Sequence, residues 1–178
     1  MKQFRKVYLE ISNICNLHCA FCPGTKRTPH RMTEAEFRTL LPKLQPWTDY
    51  LYFHIMGEPL CHPELERFLE LAHEAGFRVI LTTNGTLLHR RGEEILAAGL
   101  HKVNLSLHSF EDEAREEHER YVAELAAFAI RAAEAGTIAV FRLWNRGCDG
   151  GKNHGIYSFL RENIPGEWVE NTRGVRIH

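Results

Sequence analysis

Three cysteines stand close together near the start of the chain. Cys15, Cys19 and Cys22 have the spacing C-x3-C-x2-C, so three thiolates on one polar loop can face one metal centre. Cysteine thiolates hold iron–sulfur clusters, usually four to a cluster. Three such ligands on a four-iron cluster leave one iron without a protein ligand, and an open position is what a catalytic metal centre needs. The spacing therefore predicts a [4Fe–4S] cluster with one open iron.

A zinc site is the alternative for the same cysteines, with His18 or His30 as the fourth ligand. Zinc sites more often come as two paired-cysteine clusters, and the sequence contains no second cluster. Cys61 and Cys148 stand alone, in a turn and in a glycine-rich loop. A total of five cysteines does not suit a secreted disulfide framework, so a reducing compartment fits better.

Further polar residues follow the second and third predicted strands. Gly57 and Glu58 come directly before Pro59 at the end of one strand, and Thr83 and Asn84 end the next. A carboxylate and bare backbone acceptors suit an ammonium group, and glycine permits close approach. An Asn-Gly turn needs no function of its own, so the functional interpretation of Thr83 and Asn84 depends on where they lie.

The fourth and fifth predicted strands also carry polar side chains. Asn104, Ser106 and His108 are expected on one face of the fourth strand, because strand residues alternate with a period of two. Arg142 stands inside the apolar fifth strand and is costly there unless it is paired. Its natural partner is a carboxylate, either that of a ligand or that of a core acid such as Glu58.

Short β-rich runs alternate with longer helical ones along the chain. We predict strands at 4–12, 50–56, 77–82, 102–107 and 137–144, and helices at 33–44, 63–75, 87–98, 112–135 and 153–162. Thr33 and Glu36 have the spacing of a capping box at the first helix. This alternation implies a parallel sheet with right-handed crossovers. Ligands of such sheets lie beyond the carboxyl ends of the strands, where every motif above falls.

The predicted fold class is α/β, a partial (β/α)6-type TIM-like barrel with parallel strands. We expect a single core domain over residues 1–178, with its strands and helices between 5 and 163 and an incomplete tail at 164–178. Residues 174–178 are interpreted as the beginning of a sixth strand. Because the sequence stops inside this strand, we expect a C-terminally truncated barrel.

The wider cysteine segment resembles a known family. The string ISNICNLHCAFCPG, with Phe21 directly before the third cysteine, is similar to the signature of the radical S-adenosylmethionine (SAM) superfamily, in the branch of the molybdenum-cofactor and SPASM-type enzymes. The segment from Met56 to Pro59 resembles the family's GGEP motif, with Met56 in place of the first glycine. The Thr-Asn-Gly turn and Ser106 follow in the family's order, so the resemblance extends over residues 5–144.

This resemblance implies a radical SAM enzyme. Cys15, Cys19 and Cys22 would hold a [4Fe–4S] cluster that binds SAM and cleaves it reductively to a 5′-deoxyadenosyl radical, which abstracts hydrogen from an unknown substrate. The implied cofactor-binding residues are Phe21, Gly57, Glu58, Thr83, Asn84, Ser106 and Arg142. His108 either lines the substrate pocket or caps the strand end. The implied partners are an electron donor of the flavodoxin or ferredoxin type and a substrate for which a peptide is one candidate.

Composition sets outer limits on these interpretations. The 178 residues are 44% hydrophobic with a net charge of −1, which suits one globular domain and gives no reason to expect nucleic acid or an anionic membrane as partner. No apolar run approaches the roughly 20 residues of a membrane span, and without a signal-peptide pattern we expect a cytoplasmic protein. A glycyl-radical-activase-like enzyme and a non-catalytic cluster-binding fragment stay open as alternatives.

Overall fold

The computed structural model describes residues 2–110, 115–143, 152–171 and 174–177. Five strands form one parallel sheet in chain order, β1 to β5. Their bounds are Val7–Leu9, Tyr50–Phe53, Arg78–Thr83, Lys102–Ser106 and Ile138–Arg142. Five helices, α1 to α5, follow these strands in turn, at Glu34–Leu44, Leu65–Glu74, Leu88–Ala97, Arg115–Glu134 and Lys152–Asn163. The predicted α/β architecture is therefore confirmed.

Local signals set the beginnings of the first two helices. The predicted capping box is present at α1, where the Thr33 hydroxyl accepts the Glu36 N–H and the Glu36 carboxylate accepts the Thr33 N–H. Helix α2 begins two residues later than predicted. Nδ1 of His62 accepts the Glu64 N–H at 3.1 Å, and this side-chain contact holds Pro63 and Glu64 in a turn before the helix.

The sheet has two different faces. The face toward the helices is apolar, and its fully buried members include Leu51, Phe53, Leu81, Val103 and Leu105. The opposite face, which we call the inner face, carries the alternate residues of each strand. One row across it pairs residues in register from β1 to β5, in the order Tyr8, Tyr52, Ile80, Lys102 and Ile138.

The C-terminal segment departs from the prediction. Strand β7 (Gly174–Ile177) lies where a sixth strand was expected, but it pairs antiparallel with β6 (Trp168–Asn171) in a separate two-stranded sheet. Only residues 172 and 173 separate these strands, whereas a parallel crossover needs a dozen residues or more. The prediction that 174–178 begin the sixth barrel strand was therefore wrong. Among the described residues, no helix has the length and apolar character that crossing a membrane requires.

Candidate active site

The cysteine loop leaves β1 and folds back along its own beginning. The Asn13 side chain donates to the Thr28 carbonyl at 2.9 Å and accepts the His30 N–H at 2.7 Å. An antiparallel bridge between Ser12 and Arg31 continues this pairing. Both ends of the loop are thereby fixed beside the end of β1, although its residues 20 to 31 are exposed.

The backbone at the beginning of this loop packs directly against Gly57. Its φ is +77°, in the left-handed region, and the next residue, Glu58, donates its N–H to the Ile14 carbonyl at 2.8 Å. A Cβ at position 57 would lie only 2.5 Å from the Ser12 carbonyl oxygen and 2.8 Å from backbone atoms of Asn13 and Ile14. Glycine is therefore required both by the conformation and by the close approach of the loop backbone.

Glu58 joins the ends of β2 and β3 from a buried position. Its side chain is 2% exposed. One carboxylate oxygen accepts the Thr83 hydroxyl at 2.7 Å and the Leu60 N–H at 3.0 Å, and the other accepts the Asn84 N–H at 2.7 Å. Burial raises the pKa of Glu58, against the opposing effect of these three donors. The described contacts of Glu58 all lie within the protein, so its predicted contact with SAM stays a prediction.

Asn84 connects the end of β3 to the cysteine loop. Its amide donates to the Asn16 side chain at 3.0 Å and lies 3.9 Å from Sγ of Cys15. The Asn84 side-chain oxygen accepts from Thr86, whose hydroxyl in turn accepts from the Asn16 amide at 2.8 Å. Sequence reasoning did not identify Asn16; its place inside the cysteine motif was the one available signal.

Tyr121 is a second residue that the sequence analysis missed. It projects from α4, and its buried hydroxyl lies 2.6 Å from the Asn84 carbonyl and 2.9 Å from the Ser106 carbonyl. The hydroxyl thus links the ends of β3 and β4, and burial raises the pKa of Tyr121. In the sequence it occupies an ordinary core position of an amphipathic helix, so no local signal marked it.

His108 lies beyond β4 rather than on it. The strand ends at Ser106, and residues Leu107–Phe110 form a 3-10 turn, so the expected common face of Asn104, Ser106 and His108 was wrong for His108. Its ring is 6% exposed, Nδ1 lies 3.3 Å from the Arg142 carbonyl, and burial lowers its pKa. The Phe21 ring meets it edge-on with centroids 5.0 Å apart. His108 therefore connects the cysteine loop to the end of β5.

The remaining predicted site residues lie around this centre. Ser106 is buried at the end of β4. Arg142 ends β5, but its side chain is exposed rather than enclosed, because β5 is the edge strand of the parallel sheet. None of the hydrogen bonds to the Glu58 carboxylate comes from Arg142, so the considered ion pair between them is not formed. Cys148 lies outside the described residues.

The donor set of three cysteine thiols on one loop is of the kind that holds an iron–sulfur cluster. Cys15 and Cys22 are exposed and Cys19 is half-buried, with its thiol 3.8 Å from the Ser109 carbonyl. Burial raises the pKa of the Cys15 thiol. Within the described residues, no group of three His, Cys, Asp or Glu side chains is arranged to hold a metal ion. Cluster ligands bind different irons, so thiols spread along one loop suit a cluster.

Comparison with known proteins identifies one family. The radical SAM superfamily matches residues 9–143. Relatives include a probable GTP 3′,8-cyclase of Pyrobaculum aerophilum, 30% identical over 115 residues, which are 63% of this chain and 37% of that protein. An AdoMet-dependent heme synthase of Methanosarcina barkeri is 31% identical over 107 residues, which are 58% and 31% of the two chains. The chain spans about a third of the length of these curated relatives.

Solved structures share the fold. Streptococcus suis SuiB bound to S-adenosylmethionine superimposes with a TM-score of 0.68 at 19% identity, covering 99% of this chain and 43% of SuiB. BtrN in complex with AdoMet and 2-DOIA superimposes with a TM-score of 0.61 at 23% identity, covering 79% of this chain and 57% of BtrN. At these identities the likeness is one of fold.

Proposed function

Since the chain belongs to the radical SAM superfamily, a family of enzymes, we propose that it binds a [4Fe–4S] cluster through Cys15, Cys19 and Cys22 and cleaves SAM reductively. A cluster held by these three cysteines would supply one-electron reduction of the SAM sulfonium, with the electron drawn from an external donor, to give methionine and a 5′-deoxyadenosyl radical that abstracts hydrogen from a substrate. The observation that carries this proposal is that the cysteine loop packs against the ends of the strands. Its backbone rests on Gly57, and Asn84 reaches Cys15.

The other predicted residues have supporting roles in this proposal. Phe21 lies within the loop and packs edge-on against His108, and Ser106 is buried at the end of β4. Arg142 offers an exposed guanidinium at the same edge of the sheet, where it can bind the carboxylate of SAM. Thr83 acts through Glu58, since its hydroxyl donates to that carboxylate. The two together hold Asn84 toward the loop.

The electron donor we propose is an acidic redox protein of the flavodoxin or ferredoxin type. Lys26 and Arg31 are exposed on the returning arm of the cysteine loop. Arg27, between them, is neutralised by a salt bridge with Glu10 at 2.6 Å. Two exposed cations thus follow the cysteine motif on a chain whose net charge is −1. Complementary charge of this kind speeds the encounter of redox partners.

The relatives do not point to one substrate for this chain. They are named for different reactions, cyclisation of GTP and synthesis of heme among them, and SuiB has been solved with its precursor peptide SuiA. Within one fold, substrate specificity is determined by loops and strand ends that vary from one protein to another. A peptide therefore remains one candidate class.

The test is anaerobic reconstitution with iron and sulfide, reduction by dithionite and measurement of 5′-deoxyadenosine from SAM. Cys19→Ala should lose both bound iron and product. Cys61→Ala is the matched control, because Cys61 is a half-buried cysteine outside the motif. Its thiol lies 3.7 Å from the Asn16 side chain. This variant should keep both.

Each other outcome has a definite meaning. A brown protein with four irons that forms no 5′-deoxyadenosine would make the chain a cluster carrier and overturn SAM cleavage. A colourless protein that holds zinc would overturn the cluster itself. Loss of iron in Cys61→Ala equal to the loss in Cys19→Ala would show that the three-cysteine ligand set is wrong.

A further inference from the structure

The inner face of the parallel sheet carries positive charge without matching acids. The five strands contain three cationic residues, Arg78, Lys102 and Arg142, and neither Asp nor Glu. All three stand at positions that alternate with the apolar residues packed against the helices. The nearest acid along β1 is Glu10, and its carboxylate is already occupied by Arg27 and by the Met56 N–H at 3.1 Å.

Aromatic rings and further basic groups gather on this face at β1 and β2. The Tyr8 and Tyr52 rings lie 5.2 Å apart, and Nζ of Lys6 stands 5.0 Å from the centroid of each. The His54 ring lies 6.1 Å from that of Tyr8. Tyr8 is 45% exposed, so this group of residues 6, 8, 52 and 54 is accessible.

The basic groups are close enough to repel one another. Burial lowers the pKa of His54, and the charge of Arg142 on β5 adds to this shift. The contact with Tyr8 raises the pKa of Lys6, against a smaller opposing effect of Arg142. Like charges collected on one face without acids are unfavourable in the empty protein, and an anion placed among them removes that repulsion.

We propose that the inner face at Lys6, Tyr8, Tyr52 and His54 binds the anionic end of the substrate, a phosphate or a carboxylate. The ammonium of Lys6 would pair with the anion, while the tyrosine rings would pack against an adjoining flat or apolar part. From Tyr8 to Ser12, where the cysteine loop begins, the backbone spans at most roughly 13 Å. A substrate of about that length would therefore reach from the anion site to the beginning of the cysteine loop.

The meaning of this site as a substrate site rests on the proposed function, but the test does not use SAM cleavage. The full chain, reconstituted with its cluster, would be titrated calorimetrically with inorganic pyrophosphate and, separately, with citrate at constant ionic strength. We expect at least one anion to bind, and Lys6→Gln to weaken it about tenfold, the loss of one charge-assisted contact. Pyrophosphate alone would indicate a phosphate substrate, and citrate alone a carboxylate.

Two control variants make the result interpretable. Lys6→Arg keeps the charge and should keep most of the affinity, and Lys43→Gln removes an exposed lysine of α1 and should change nothing. Saturating SAM should leave the anion bound. Absence of binding by both anions, equal affinity in Lys6→Gln, or displacement by SAM would each overturn the proposal, the last because the anion would then occupy the carboxylate site of SAM. Failure of SAM cleavage with intact anion binding would instead count against the proposed function.

Discussion

Replacing Gly57 by alanine is the most direct test of how the cysteine loop is held. The substitution imposes a left-handed conformation on a residue with a Cβ, which costs about 1–2 kcal/mol. The new methyl group also overlaps three backbone atoms of the loop, the nearest at 2.5 Å, and backbone cannot rotate away as a side chain can. Overpacking of this kind costs about 1–3 kcal/mol. The expected loss in the free energy of unfolding is therefore about 2–5 kcal/mol.

A matched variant separates the two contributions. Gly76 has nearly the same backbone conformation, φ +82°, but a Cβ there would have no neighbour within 4 Å. Gly76→Ala should therefore show the conformational cost alone, about 1–2 kcal/mol. Urea unfolding of both variants measures the difference, and iron content after reconstitution reports whether the loop has moved. We expect iron to be lost in Gly57→Ala and kept in Gly76→Ala.

The result that would refute this reasoning is a Gly57→Ala protein that is as stable as Gly76→Ala and holds as much iron. The loop would then have room to accommodate a methyl group, and the close packing of Gly57 would not be what positions the cysteines. If Gly57→Ala loses stability but keeps all its iron, only the predicted loss of iron is contradicted. The loop could then bind its cluster without packing against residue 57.

Three further perturbations test other parts of the site. Tyr121→Phe removes the shared donor of two buried carbonyls and should lower the free energy of unfolding by about 1–3 kcal/mol; urea unfolding that matches the unchanged protein would contradict the link. Burial lowers the pKa of His62 below its ordinary 6.5, so stability should fall as the pH drops below about 6.5, where the unfolded chain binds the proton first. His62→Gln should flatten that dependence, and an unchanged slope of urea midpoint against pH would refute it. Lys26→Glu with Arg31→Glu should slow reduction by flavodoxin severalfold while dithionite still supports SAM cleavage, and equal slowing with both reductants would exclude a docking role.

The order of elements followed from the sequence because it depends on local periodicity. The alternation of β-rich and amphipathic runs, with Thr33 and Glu36 as a capping box, was sufficient to place five parallel strands. The ends of elements were less predictable. His108 was assigned to β4 by alternation, yet the chain had already turned at Leu107. Strand β7 was assigned to the barrel although only two residues separate it from β6.

The contacts within the site were predictable only where both partners belong to a recognisable motif. The cysteine spacing and the Gly-Glu-Pro turn indicated a common site, but the partners of Glu58 are 25 and 26 residues away, at Thr83 and Asn84. Tyr121 bonds Asn84 across 37 residues, from a helix face that any core tyrosine could occupy. Such pairings depend on how the strands are staggered, which the pattern of one sequence does not specify.

One polar group joins each neighbouring pair of strand ends at this edge of the sheet. The N–H that follows Gly57 joins β1 to β2 through the loop, Glu58 joins β2 to β3, Tyr121 joins β3 to β4, and His108 joins β4 to β5. If these links act in series, a substitution should disturb the cysteines less the farther its link lies from β1. Iron retention should then be lowest in Gly57→Ala and higher in Tyr121→Phe, even where both lose similar stability. Equal iron loss at equal stability would mean that the loop responds to the global fold rather than to this row of contacts.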